Sequence, residues 1–219
     1  NNGVLLLGGR MAAISTLITE LRVDIEDNDS TRWTDAKLLS LFKKAIRRAN
    51  RIVQRHDLNF GKKSATLTTT EDQAYIDISS TVSDFDVFLG LYHDSLDYEV
   101  EVQNEHDFAL LDDEGSITYC RLDQANSKIY LKGTPGDSTT TLTLWYFPTV
   151  DPSAYTTDSD TPWGGSLDDV LMEYVRIRAL NVDEMTLDVD TQLMTDMENQ
   201  ILQSYRFNSA GRVEHNGWL

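Results

Sequence analysis

The chain has 219 residues, of which 40% are hydrophobic and 25% charged, and its formal net charge is −17. That is enough apolar chain to bury a core in one domain or two small ones. Such a surplus of carboxylates argues against non-specific duplex binding, which needs Lys and Arg to displace counterions from phosphate. The single cysteine, Cys120, can neither staple the fold nor build a cysteine-based zinc site, and it suits a reducing cytosol.

Residues 1–10 read as a leader or extension ahead of Met11, or as a flexible arm. Their apolar run, Val4 to Leu7, is far shorter than the ~20 residues of a membrane span, and it lacks the basic flank of a signal peptide. Residues 11–61 read as a helical hairpin. Ile14, Leu17, Ile18, Leu21 and Ile25 recur at helical spacing, and a polar break follows at Glu26 to Ser30. The second helix opens at Thr34, whose hydroxyl can cap it, with Asp35 in the first turn. Its stripe, Leu38, Leu41, Phe42, Ala45, Ile46, Ala49, Ile52 and Val53, predicts a helix ending near His56.

Residues 62–150 change to strand period. Leu67 and Tyr75 to Ile78 read as two strands around Thr70 to Gln73, and Phe85 to Tyr92 as a third. Leu96, Tyr98, Val100 and Val102 alternate with Asp97, Glu99, Glu101 and Gln103, which predicts a half-buried strand with an acidic outer face. Asn104 to Leu111 reads as a short helix, and Ile117 to Leu122 with Lys128 to Lys132 as a hairpin. Gly133-Thr134-Pro135-Gly136 is a turn and Thr140 to Phe147 a last strand. A linker at 151–165 follows. Residues 166–206 read as a second helical hairpin, with Ser166 and Asp169 spaced as a capping box. Residues 207–219 have no helical period and read as a tail. The whole predicts an α+β chain: a bundle of two helical hairpins with an inserted antiparallel β-rich region and an extended C-terminal tail.

Catalytic patterns fail one by one. Gly61-Lys62-Lys63-Ser64 resembles the end of a phosphate loop, but His56 stands where the first glycine belongs. Asp27-Asn28-Asp29-Ser30 opens like a calcium loop, but Arg32 and Leu38 occupy its glycine and bidentate-Glu positions, so a solvated turn is expected. The four histidines are scattered. No enzyme, cofactor or metal is read from the chain. Carboxylates are plentiful, so a small carbohydrate hydrolase stays open as a reading, and it requires two converging carboxylates, one with a raised pKa.

Two charge features stand out. Lys43, Lys44, Arg47, Arg48, Arg51 and Arg55 gather much of the chain's cationic charge on one helix, with Lys43, Arg47, Arg51 and Arg55 on a single ridge. A solvated face is the plain reading, an interface ridge for an acidic neighbour the sharper one, and a nucleic-acid contact the third. Conversely, Asp94 to Glu114 is rich in carboxylates and holds no Lys or Arg. Asp97, Glu99 and Glu101 there form either a solvated strip or a surface that DNA passes without sticking.

Several of these pieces resemble the head-to-tail adaptors of tailed phages, the tail tubular protein A-like and head-completion proteins. Trp33 to Leu39 resembles that family's opening of its second helix, with Asn50 in the neighbourhood of its recurrent asparagine. Ile129-Tyr130-Leu131 before Gly133-Thr134-Pro135-Gly136 is similar to its strand and proline turn, and Leu142 to Pro148 to its strand exit. Thr161-Pro162-Trp163 before a helix with Leu171 and Tyr174 resembles its closing unit. The leader and the tail depart from the pattern.

The resemblance implies a virion protein of the neck or tail, assembled in the host cytoplasm. It implies a ring, usually of twelve copies, that joins the portal protein to nozzle or other tail proteins, with DNA passing through unbound and no membrane partner. It also implies a tail docked in the portal, for which Phe207, Arg212, Trp218 and Leu219 are the candidate anchors. Another neck or tail-completion role is the alternative within the virion.

Overall fold

A computed structural model describes residues 12–112, 115–133, 140–181 and 187–210. In chain order the elements are α1 (Ile14–Asp24), α2 (Asp35–Arg55), β1 (Lys63–Thr68), β2 (Tyr75–Asp77), β3 (Phe85–His93), β4 (Tyr98–Val102), α3 (Glu105–Ala109), β5 (Tyr119–Asp123), β6 (Lys128–Lys132), β7 (Thr141–Pro148), α4 (Asp168–Leu180) and α5 (Leu187–Ala210). The described residues form two compact units, one from those up to 60 and from 150 onward, the other from Gly61–Thr149.

In the helical unit α2 is central and packs on α1, α4 and α5, with its broadest contact on α4. Its apolar residues return every three or four positions, so Leu38, Phe42, Ala45, Ile46, Ala49, Ile52 and Val53 all reach the interior. Thr34 caps the helix, its hydroxyl accepting from the Lys37 N–H at 3.4 Å, and His56 closes it. The polar break before α2 is not simply solvated. Asp27 is buried and accepts from the backbone N–H of Arg32 and Trp33, from the Thr31 hydroxyl and from Arg22. The Arg32 N–H is the largest of the effects that hold its carboxyl below the usual range, with Trp33, Thr31 and Arg22 adding to it against the cost of burial. Asp27 thus organises the α1–α2 connection rather than decorating it.

The second unit is built on one seven-stranded sheet in the order β1-β7-β3-β4-β5-β6-β2. Alternation along β7 turns Leu142, Leu144 and Tyr146 into the core and Trp145 out. They join Leu67, Leu91, Val100, Cys120, Ile129 and Leu131 in one apolar cluster. Gly133 turns the chain after β6 at φ +90, a conformation that costs glycine little, and a Cβ there would lie 2.3 Å from the Ser116 carbonyl oxygen.

This architecture corrects the expected bundle of two helical hairpins. The helices do not pair as two hairpins, because α2 shares its core with three partners and contacts α4 more than its sequence neighbour α1. The β region is not purely antiparallel. β4 and β5 run parallel, with α3 in the connection between them. The two strands expected to flank Thr70 to Gln73 do not pair with each other, since β1 lies on β7 and β2 on β6, at opposite edges of the sheet. The expected tail does not begin at Phe207, because α5 continues to Ala210. The capping box at Ser166 does not form either. Leu167 occupies the N-cap without a side-chain bond, and the first-turn carboxylate Asp168 instead accepts the Thr161 hydroxyl at 2.5 Å.

Candidate functional site

The basic residues of α2 separate into two groups. Arg48 turns inward and donates to both oxygens of Asp190 at 3.0 Å each, while Arg178 from α4 reaches the same carboxylate at 2.8 Å. Both guanidinium groups lie over the Tyr174 ring, 5.3 and 5.8 Å from its centroid. The Arg48 hydrogen bonds, then the charges of Arg48 and Arg178, hold the Asp190 carboxyl below its ordinary value, and the same bonds raise Arg48. This cluster ties α2, α4 and α5 together.

The predicted ridge is committed at its ends and open at its centre. Lys43 donates to the Ser153 carbonyl at 3.1 Å, and Arg55 lies 3.6 Å from a Glu198 oxygen whose partner oxygen contacts His56. Between them Lys44, Arg47 and Arg51 are exposed at i, i+3 and i+7, one stripe of the helix. Arg47 adds to the field that lowers Asp151, although the Ser153 hydroxyl is the main cause there. Lys44 and Arg51 make no ion pair among the described residues.

Asp97, Glu99 and Glu101 are all exposed. Asp97 turns the β3–β4 connection at φ 58 and accepts the Tyr92 hydroxyl, and with Asp94 it raises the Tyr92 pKa. Glu101 accepts from the Gln103 side chain at 2.7 Å. The Glu99 side chain makes no ion pair among the described residues. Its carboxylate sits 3.2 Å from where a Gly90 Cβ would stand, and Gly90 pairs directly with Trp145 of β7. Trp145 is 47% exposed, and on its other side β1 presents Ser64. The strip expected to be only acidic therefore adjoins an open indole.

Of the tail anchors, Phe207 falls within α5 with its side chain outside the described residues, and Arg212, Trp218 and Leu219 lie outside them as well. An open groove beside α4 and α5 is lined by Asp169, Val170, Glu173, Gln200, Gln203 and Ser204. Its Glu173 is chelated by Arg176 at 2.7 and 2.8 Å, which lowers its pKa, whereas a general acid needs the opposite shift. Cys120 is fully buried, and burial first, then the charge of Glu99, pushes its thiol up to about 12. Among the described residues no helix is long and apolar enough to cross a membrane, and no acidic, His or Cys cluster is grouped to hold a metal ion.

Residues 12–214 match the family model described as SU10 adaptor protein. The chain belongs to this family of phage head-tail adaptors. A comparison with curated proteins found no match. Membership makes the chain a bacteriophage adaptor and a virion component. Two features of this SU10 adaptor described above were missed in the sequence. Trp145 was legible in principle, because an aromatic residue between inward Leu144 and Tyr146 must point out. The Arg48–Asp190–Arg178 cluster was not, because its members lie on three separate helices.

Proposed function

We propose that the protein assembles as a ring, of the order of twelve copies, that joins the portal vertex of the phage head to the tail and extends the DNA channel. The observation that carries this reading is the adaptor-family match across residues 12–214. The net charge of −17 supports it, since a conduit wall poor in Lys and Arg does not trap phosphate during transit. Asp97, Glu99 and Glu101, or the neighbouring acidic run to Glu114, are candidates for the channel-facing surface. The C-terminal segment with Phe207, Arg212, Trp218 and Leu219 is proposed as the portal-docking element, because large aromatics anchor interfaces well. The adaptor role involves no turnover, so pure protein is expected to leave peptidoglycan and polysaccharide intact.

Co-sedimentation with the portal oligomer of its own phage tests this proposal. Stoichiometric co-sedimentation, lost when residues 211–219 are removed, is the expected result. Failure of the full chain to bind portal at any concentration overturns the docking role, and binding that survives the truncation moves the joint to the folded body.

A further inference from the structure

We propose that the Trp145–Glu99 face is the receptor for the α2 stripe of a second copy of this chain, with Arg51 of one copy seated between the indole and the carboxylate of the next. The inference rests on the ring reading above and names the surfaces that would build the ring.

Three observations converge. The first is the open indole: Trp145 is 47% exposed in mid-strand, and its cross-strand neighbours, Gly90 and Ser64, are too small to cover it. The second is the carboxylate beside it. The Glu99 carboxylate lies over Gly90, within 3.2 Å of a hypothetical Cβ, and it makes no ion pair among the described residues. An indole face attracts a cation through its quadrupole, and a carboxylate attracts it by charge. A planar guanidinium fits both at once, stacking on the ring while donating to the oxygens.

The third observation is the supply of that ligand. On a chain of net charge −17, copies repel one another unless a cationic surface meets an acidic one. The exposed stripe of Lys44, Arg47 and Arg51 is such a surface, and its Lys44 and Arg51 make no ion pair among the described residues. Because stripe and receptor are different patches, the contact is heterologous, and heterologous contacts generate rings when the rotation closes. The proposal moves Glu99 from the channel-facing set to the junction between copies.

The test is the assembly state of four proteins, read by native mass measurement and sedimentation: wild type, Arg51→Glu, Glu99→Arg and the double exchange. Each single reversal is expected to weaken assembly by about tenfold or more, and the double exchange to restore it. Trp145→Ala should weaken assembly without rescue by either exchange. These side chains are exposed, so melts recorded at concentrations where wild type is also unassembled are expected to stay unchanged. Rings unaffected by either reversal would place the copy–copy interface elsewhere and overturn the proposal while leaving the ring reading intact. A wild type that never assembles, with or without portal, defeats the ring reading itself. Loss of portal binding with intact rings in Glu99→Arg would give the site to a portal cation and overturn the proposal. A melting change in Arg51→Glu that Glu99→Arg reverses, without any effect on assembly, would place the pair within one chain and overturn it too.

Discussion

Replacing Asp190 with Asn removes the anion shared by Arg48 and Arg178 while keeping the shape of the side chain. The three side chains are only 29%, 23% and 20% exposed, so solvent screens them less than an ordinary surface pair. An exposed pair contributes up to ~1 kcal/mol and a charged hydrogen bond in a buried setting ~1.5–3 kcal/mol, so two partly buried pairs together contribute about 2 kcal/mol. For a chain of this size that corresponds to a melting temperature lower by roughly 4–8 °C. The pH dependence follows from the lowered Asp190 pKa. A depressed folded-state value contributes stability that is fully present above the unfolded value of about 3.9 and is lost as pH falls through the folded value. Thermal melts of wild type and Asp190→Asn at low salt should therefore differ at pH 7 and converge in acid. Equal melting temperatures at pH 7, or a gap that does not narrow as pH falls, would refute the account of this cluster.

Phe42→Ala empties a fully buried site in the middle of α2 and should cost about 3–5 kcal/mol in a denaturant titration. Gly133→Ala places a Cβ 2.3 Å from the Ser116 carbonyl oxygen at φ +90, so the sheet unit should lose well over the ~1 kcal/mol of glycine's conformational advantage, read as a lower denaturation midpoint. Cys120, buried and protonated until about pH 12, should not react with an aromatic disulfide reagent at pH 8 until the protein is unfolded, and fast native-state reaction would contradict its burial.

The sequence made α2 legible because a helix declares its buried face every three or four residues, and Thr34 and His56 mark its ends by local chemistry. Strand positions were legible for the same reason at period two, as at Leu142, Leu144 and Tyr146. Strand partners were not. Alternation states which side of Tyr75 to Asp77 is buried but not that it pairs with β6 rather than with β1. The parallel β4–β5 pairing was hidden in the same way, since it depends on what α3 bridges. Helix packing was misread because loop length suggests that neighbours in sequence pair in space, whereas the apolar face of α2 is wide enough to hold α4 and α5 together with α1. Of the candidate site, the charges of the α2 stripe and the acidic strand were visible. The indole beside Glu99 needed the register that puts Gly90 opposite Trp145.

The central claim, a ring adaptor between portal and tail, is tested most directly by imaging the neck of the intact virion at a resolution that traces this fold. The account predicts a closed ring of copies directly beneath the portal, surrounding the DNA path, with each Trp145–Glu99 face against the α2 stripe of the next copy. Copies located only at the distal tail, or attached to the neck without forming a ring, would contradict it.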